Sequence, residues 1–244
     1  MLQTTKGIVL RSVKYGDTSL VSTIFTRIYG VQTYMVKGVR TSKAKSNRAG
    51  LLQPATLLDM VVYQRPQHNM QHIREFQLAH IYQSLQQEVV KNSIALFSVE
   101  LLLRLLPEQA PLSDLFDFAF DYFCMLDEMP VEDVANFPLY FVLQCGRLLG
   151  YELKGSYTAN TPHLDLHEGG FSSQAPVVTP FVNDTDAKAL AQLLRINAVS
   201  ELKAVDMNST MRYRLLDWYI AFLHQYTQHL GNIKSLAVLQ AILH

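Results

Sequence analysis

Five basic residues, Lys37, Arg40, Lys43, Lys45 and Arg48, fall within twelve positions, and no acidic residue occurs from Thr18 to Leu58. Arg27 lies in the same window, and Arg11 and Lys14 come just before it. Ammonium and guanidinium groups on a loop can neutralise successive phosphates and release their condensed counterions, so such binding weakens as salt rises. Tyr15, Phe25 and Tyr34 are interleaved with these cations and offer flat faces on which unpaired bases stack. The residues expected at a nucleic-acid interface are therefore Arg11, Lys14, Arg27, Tyr34, Lys37, Arg40, Lys43, Lys45 and Arg48. A solvated loop without a ligand is the competing reading. The lack of compensating acids across the whole segment favours binding.

Other candidate chemistries are weaker. His163-Leu164-Asp165-Leu166-His167 brings two imidazoles and a carboxylate close in sequence, but a zinc site needs three or four ligands. The alternation fits an ordinary strand better, polar side out and leucines in. Asp114, Asp117 and Asp121 share one helical face and favour a solvated surface over acid–base chemistry, with no nucleophile or histidine beside them. Arg147, Arg212 and Arg214 are local cations in an acidic region, suited to surface pairing or to an acidic peptide. Cys124 and Cys145, the only cysteines, form no Cys-x-x-Cys site and no disulfide framework. No phosphate-binding glycine loop, nucleophile elbow or His-Glu-x-x-His occurs. The expectation is a protein that is not an enzyme, with no catalytic residue, no metal and no cofactor.

Two kinds of element must position these residues. Up to about residue 80, β-branched and aromatic runs are punctuated by glycine: Gly7–Val13, Ser19–Thr26, Val31–Lys37, Thr56–Tyr63 and His72–Leu78. Five short strands suit a small closed barrel of the OB type. From about Ser84 the apolar period becomes helical, through Leu85, Val89, Ile94, Phe97, Leu101 and Leu105 to Pro107. Further helices are expected from Ser113, over Phe137–Leu149, from Asp184 or Thr185 to near Ile196, over Ser209–Leu230 and over Ser235–Leu243. Residues 151–183, rich in Gly, Pro, Ser and Thr, fit neither period. The expected class is α+β: a five-stranded OB-fold barrel over 1–80, then an all-α helical domain over 81–244 with a zinc-less irregular insertion.

The formal net charge of zero conceals a division. Residues 1–75 hold 11 Lys/Arg against 3 Asp/Glu, a net +8, and the remainder carries −8. A basic first unit favours a polyanion and an acidic second unit repels one, so two kinds of partner are expected. There is no run of about 18 apolar residues and no apolar leader, so neither a membrane partner nor a secretory signal is expected. A cytoplasmic setting with reduced thiols follows.

Several strings resemble the DNA repair protein RecO family. They are Gly7-Ile8-Val9-Leu10-Arg11, Tyr15-Gly16-Asp17-Thr18-Ser19-Leu20-Val21, Phe25-Thr26, Tyr29-Gly30, Val36-Lys37-Gly38-Val39-Arg40 and Leu52-Gln53-Pro54. Leu148-Leu149-Gly150-Tyr151, Gly169-Gly170-Phe171, His229-Leu230-Gly231 and Lys234-Ser235 extend the likeness over nearly the whole chain. The resemblance implies a recombination mediator that binds single- and double-stranded DNA, anneals strands and helps load the recombinase, and that is associated with the nucleoid. It implies as partners RecR, the C-terminal tail of single-strand-binding protein and, indirectly, RecA. It places Lys37 and Arg40 beside the DNA path. Many members carry a four-cysteine zinc module after Leu-Gly-Tyr. Residues 151–183 contain no cysteine, so a metal-free ribbon is expected there. An RNA-binding OB protein is the alternative that the charge pattern leaves open.

Overall fold

The computed structural model describes residues 1–39, 48–65, 68–176, 182, 184–196, 198–227 and 230–243. Strands β1 (Leu2–Tyr15), β2 (Ser19–Thr26), β3 (Gly30–Val36), β4 (Leu57–Tyr63) and β5 (Met70–Leu78) close into a barrel in the order β1-β2-β3-β5-β4. β3 and β5 run parallel and the other neighbours antiparallel, the five-stranded OB arrangement that the strand runs anticipated. β1 has fourteen residues because it serves two neighbours: Leu2–Ile8 pair with β4, and Gly7–Tyr15 with β2. Its polar ends gave no apolar run to read.

Alternation fills the barrel. Leu20, Ser22 and Ile24 on β2 stand beside Val36, Tyr34 and Gln32 on β3, and all six are buried. Val9, Leu58, Met60 and Val62 complete the core. Gly7 faces it, and a Cβ there would lie 2.8 Å from Ile24 Cγ2. The Ser12 and Ser22 hydroxyls are satisfied: Ser12 Oγ and Ser22 Oγ are 2.8 Å apart, and Ser12 donates to the Leu52 carbonyl at 2.7 Å.

The first of two compact units contains residues 1–86 and 102–127. Helix α1 (Val89–Leu105) contributes its last turn, and α2 (Ser113–Glu128) nearly all its length. Phe25 points out of the barrel yet is buried, because Phe116 of α2 packs edge-on against it at 5.3 Å. Gly30, at φ +66°, lies so close to the chain leading into α2 that a Cβ would sit 2.1 Å from the Ala110 carbonyl oxygen. The Asp127 carboxylate accepts the backbone N–H groups of Gln83, Ser84 and Leu85 at 2.9, 2.8 and 2.7 Å, with His80 Nε2 at 3.3 Å. These bonds anchor the chain ahead of α1, and the helical period that begins near Ser84 becomes helix only at Val89.

The second unit contains residues 87–101 and 128–244. Helices α3 (Phe137–Leu148) and α5 (Ser209–Tyr226) pack together, so closely that a Cβ on Gly146 would lie 2.2 Å from the Tyr219 hydroxyl. Asn208 caps α5 by accepting Met211 N–H at 2.9 Å. That helix ends at Tyr226 rather than reaching Leu230, as Thr227 leaves helical geometry with its hydroxyl on the Leu223 carbonyl. The helices α4 (Asp184–Leu194) and α6 (Lys234–Ile242) match their expected positions within two residues. Glu100 starts α6 from a distance, accepting Lys234 N–H, Ser235 N–H and Ser235 Oγ at 3.0, 2.8 and 2.6 Å.

Residues 151–176 form the expected ribbon. β6 (His163–Asp165) and β7 (Gly170–Ser172) pair antiparallel, and Leu164 is buried between the half-exposed His163 and Asp165. Asp165 Oδ1 then accepts His167 N–H and Glu168 N–H at 2.7 and 3.2 Å, making the turn. Among the described residues no three His, Cys, Asp or Glu side chains converge as metal ligands, and no helix is long and apolar enough to cross a membrane.

Candidate nucleic-acid interface

A β-bulge decides which way Arg11 points. Val9 pairs with Ile24, but Arg11 pairs with Thr23, leaving Leu10 as the extra residue. Strict alternation from the inward Val9 would aim Arg11 into the core. The bulge flips the parity, so Arg11 is exposed and Ser12 faces in. Outward-facing positions on β1, β2 and β3 then line up as Arg11, Thr23 and Thr33, and as Val13, Val21 and Met35. Val13 remains exposed.

Lys14 pairs with Leu20, and Leu20 with Val36. Lys14 and Lys37 therefore lie at the same rim of the barrel with β2 between them, and both are exposed. Gly38, at φ +71°, supplies the turn beyond Lys37. Tyr15 stands beside them at the end of β1 with 55% of its surface exposed. Arg11 and Tyr15 share the outward parity of β1, Lys14 takes the parity of Leu20 and Val36 at the strand's end, and all of them, with Lys37, are exposed. Asp17, in the β1–β2 turn, is the acid nearest in sequence.

The other expected residues lie elsewhere. Tyr34 offers no platform: it has 0% exposure, and its hydroxyl donates to Gln32 Oε1 at 3.0 Å. Burial pushes that hydroxyl's pKa well up. Its inward position follows from pairing with Ser22, and Phe25 is likewise covered, so of the three aromatics Tyr15 alone keeps an open face. Arg27 follows β2 at its far end, roughly 23 Å along the strand from Leu20 at about 3.3 Å per residue. It forms a bidentate pair with Asp117 at 2.7 and 2.8 Å. The shared hydrogen bond holds the Asp117 carboxyl below its usual range and raises Arg27. Arg48 begins a short 3-10 turn (Arg48–Leu52) and lies 4.6 Å above the Phe76 ring, in a cleft also lined by Asp59 and Glu75. Arg40, Lys43 and Lys45 lie outside the described residues.

Two arrangements go beyond what the sequence reading anticipated. The spacing of Asp114, Asp117 and Asp121 points to a solvated face, yet Asp117 is bonded to the barrel. The Asp127 anchor has one visible signal: a carboxylate in the last turn of a helix opposes the helix dipole, so something else must favour it. In the second unit, Arg214 forms a bidentate pair with the buried Asp186 at 2.7 and 2.9 Å. Arg212 donates to the Met207 carbonyl, and Arg147 is exposed.

Comparison with known proteins adds identity to this geometry. Residues 1–82 match the family model described as recombination protein O N terminal, and residues 86–237 match recombination protein O C terminal. The chain is similar to the DNA repair protein RecO of Bacteroides fragilis, 32% identical over 248 residues and covering 99% of both chains. It is 28% identical over 245 residues to that of Christiangramia forsetii, again covering 99% of both. Against that of Flavobacterium psychrophilum it is 27% identical over 242 residues, 98% of each.

Proposed function

The chain belongs to the RecO family of DNA repair proteins, and from that premise we propose that it is a non-enzymatic recombination mediator whose barrel binds DNA. The observation that carries this reading is the exposure of Arg11, Lys14, Tyr15 and Lys37 along β1 and at the end of β3 of a closed five-stranded barrel. A single strand laid along β1–β3 meets cations for its phosphates and a ring for one base, the arrangement that OB barrels use for unpaired strands. Arg40, Lys43 and Lys45 continue that cationic track in sequence. Duplex DNA binds the same cations through its backbone, without base stacking.

The division of labour is by charge. The barrel, residues 1–80, takes DNA, while the acidic helical body, residues 81–244, takes proteins. The proposed protein partners are RecR and the C-terminal tail of single-strand-binding protein, with RecA loaded indirectly, in the cytoplasm at the nucleoid. Bringing two coated strands together while neutralising their phosphates is annealing. The RNA-binding alternative is not favoured, since the three relatives named above are DNA repair proteins.

The test is annealing of complementary oligonucleotides by the full chain, with and without cognate single-strand-binding protein. Faster annealing of both naked and coated strands supports the reading. Annealing no faster than the spontaneous rate, or preferential retention of RNA in direct competition, contradicts it.

A further inference from the structure

The acidic face of α2 stands against the barrel at the end opposite the Tyr15 rim. Arg27 Nε and Nη2 reach Asp117 Oδ1 and Oδ2 at 2.7 and 2.8 Å. Lys6 Nζ lies 4.4 Å over the Phe120 ring of the same helix and adds to the depression of the Asp117 carboxyl. Asp114 adds to the field on Arg27, and Asp121 follows on the same helical face. Seating of α2 is fixed by apolar and backbone packing rather than by these charges: Phe25 on Phe116, and Gly30 against Ala110. The carboxylates are therefore held in place whether or not the cations answer them.

The geometry points to Asp117, with Asp114 and Asp121 beside it, as the group that sets where the bound DNA strand ends. Two barrel cations stand beside this helix, Arg27 paired with Asp117 and Lys6 over the Phe120 ring. A phosphate approaching Arg27 meets fixed carboxylates inside the screening distance of about 8 Å at physiological salt. The planar guanidinium fork fits a carboxylate or a phosphate equally, so Asp117 occupies the place that a backbone phosphate would take. The strand is thereby confined to the Arg11–Lys14–Tyr15–Lys37 end. The pair is half exposed, with side chains 47% and 48% accessible, so its hold on Arg27 is modest and within reach of competition.

This inference rests on the DNA-binding reading above, and its test separates the two. Full-length wild type, Asp117→Asn, Arg27→Ala and the double variant are titrated with a labelled single-stranded oligonucleotide over a salt series. Asp117→Asn should tighten binding about twofold to fivefold at low salt and steepen the log–log salt slope by about 0.7, as Arg27 becomes free to neutralise one further phosphate. Arg27→Ala alone should leave the wild-type slope unchanged, and adding it to Asp117→Asn should cancel the gain. Asp121→Asn, which breaks no ion pair of Arg27, should tighten binding by a smaller factor and guards against loss of fold in the Asp117 variant. If wild type binds DNA but Asp117→Asn binds no tighter, or Arg27→Ala alone flattens the slope, the inference fails and the DNA-binding reading stands. If wild type does not bind DNA, both fail.

Discussion

Replacing Tyr15 by Ala removes a half-exposed ring that packs into no core. We expect the thermal midpoint to hold and single-strand binding to weaken by about 1–3 kcal/mol, the usual worth of one stacked base. Tyr34→Ala should do the reverse, costing about 3–5 kcal/mol of stability as a buried ring is lost, with any loss of binding following the unfolded fraction. Binding titrations and melts of both variants separate the roles. Sequence alone presents the two tyrosines as equals, because strand parity relative to the core becomes visible only once the bulge at Leu10 and the partner strands are known. Asp127 gives a second test at this scale. Burial pushes its carboxyl up, but the N–H groups of Gln83, Ser84 and Leu85, with His80, outweigh that and hold it down at about 2. The unfolded chain titrates near about 3.9. Stability from this group is therefore complete above about pH 4 and lost as pH falls from there towards 2, on the order of 2 kcal/mol in all. Denaturant midpoints of wild type should fall over that window, and Asp127→Asn should remove this part of the fall. An identical pH profile in the variant would contradict the assignment.

At the scale of elements, the junction of the β2–β3 turn with the chain entering α2 depends on the absence of one Cβ. Gly30→Ala adds an atom 2.1 Å from the Ala110 carbonyl oxygen, at a positive φ. We expect a loss of at least about 1–3 kcal/mol in chemical denaturation, whereas Gly16→Ala, also at positive φ but with open space around it, should lose less. The basic segment after β3 makes a separate prediction. Lys43→Ala with Lys45→Ala should lower the salt slope of single-strand binding by up to about 0.7 for each phosphate left unneutralised, with the melt unchanged. An unaltered slope would remove this segment from the DNA path. Element types are legible because β-branched runs and 3.6-residue periods are local signals. Boundaries are less so where a distant side chain intervenes: Asp127 anchors the chain ahead of α1, and α6 begins on Glu100. Neither partner is near in sequence, so no window around the helix end contains the cause.

For the whole molecule, the charge division and the compact units do not coincide. The barrel carries the net positive charge, but its unit also includes residues 102–127 with the acidic face of α2. The charge pattern in the sequence points correctly to a basic barrel, and it cannot reveal that part of the acidic region folds onto it. The interface proposed above is narrower than the cationic residues in sequence suggest. The proposed interface centres on the exposed Arg11, Lys14, Tyr15 and Lys37, with Arg27 held by Asp117 and Arg48 set over Phe76. The most direct test is the salt dependence of single-strand binding by the full chain carrying Arg11→Ala, Lys14→Ala and Lys37→Ala together. These side chains are exposed, so the melt should match wild type, while the removal of three phosphate-neutralising cations should lower the log–log slope by about 2. A folded triple variant that keeps the wild-type affinity and slope would contradict the assignment of this face as the DNA site.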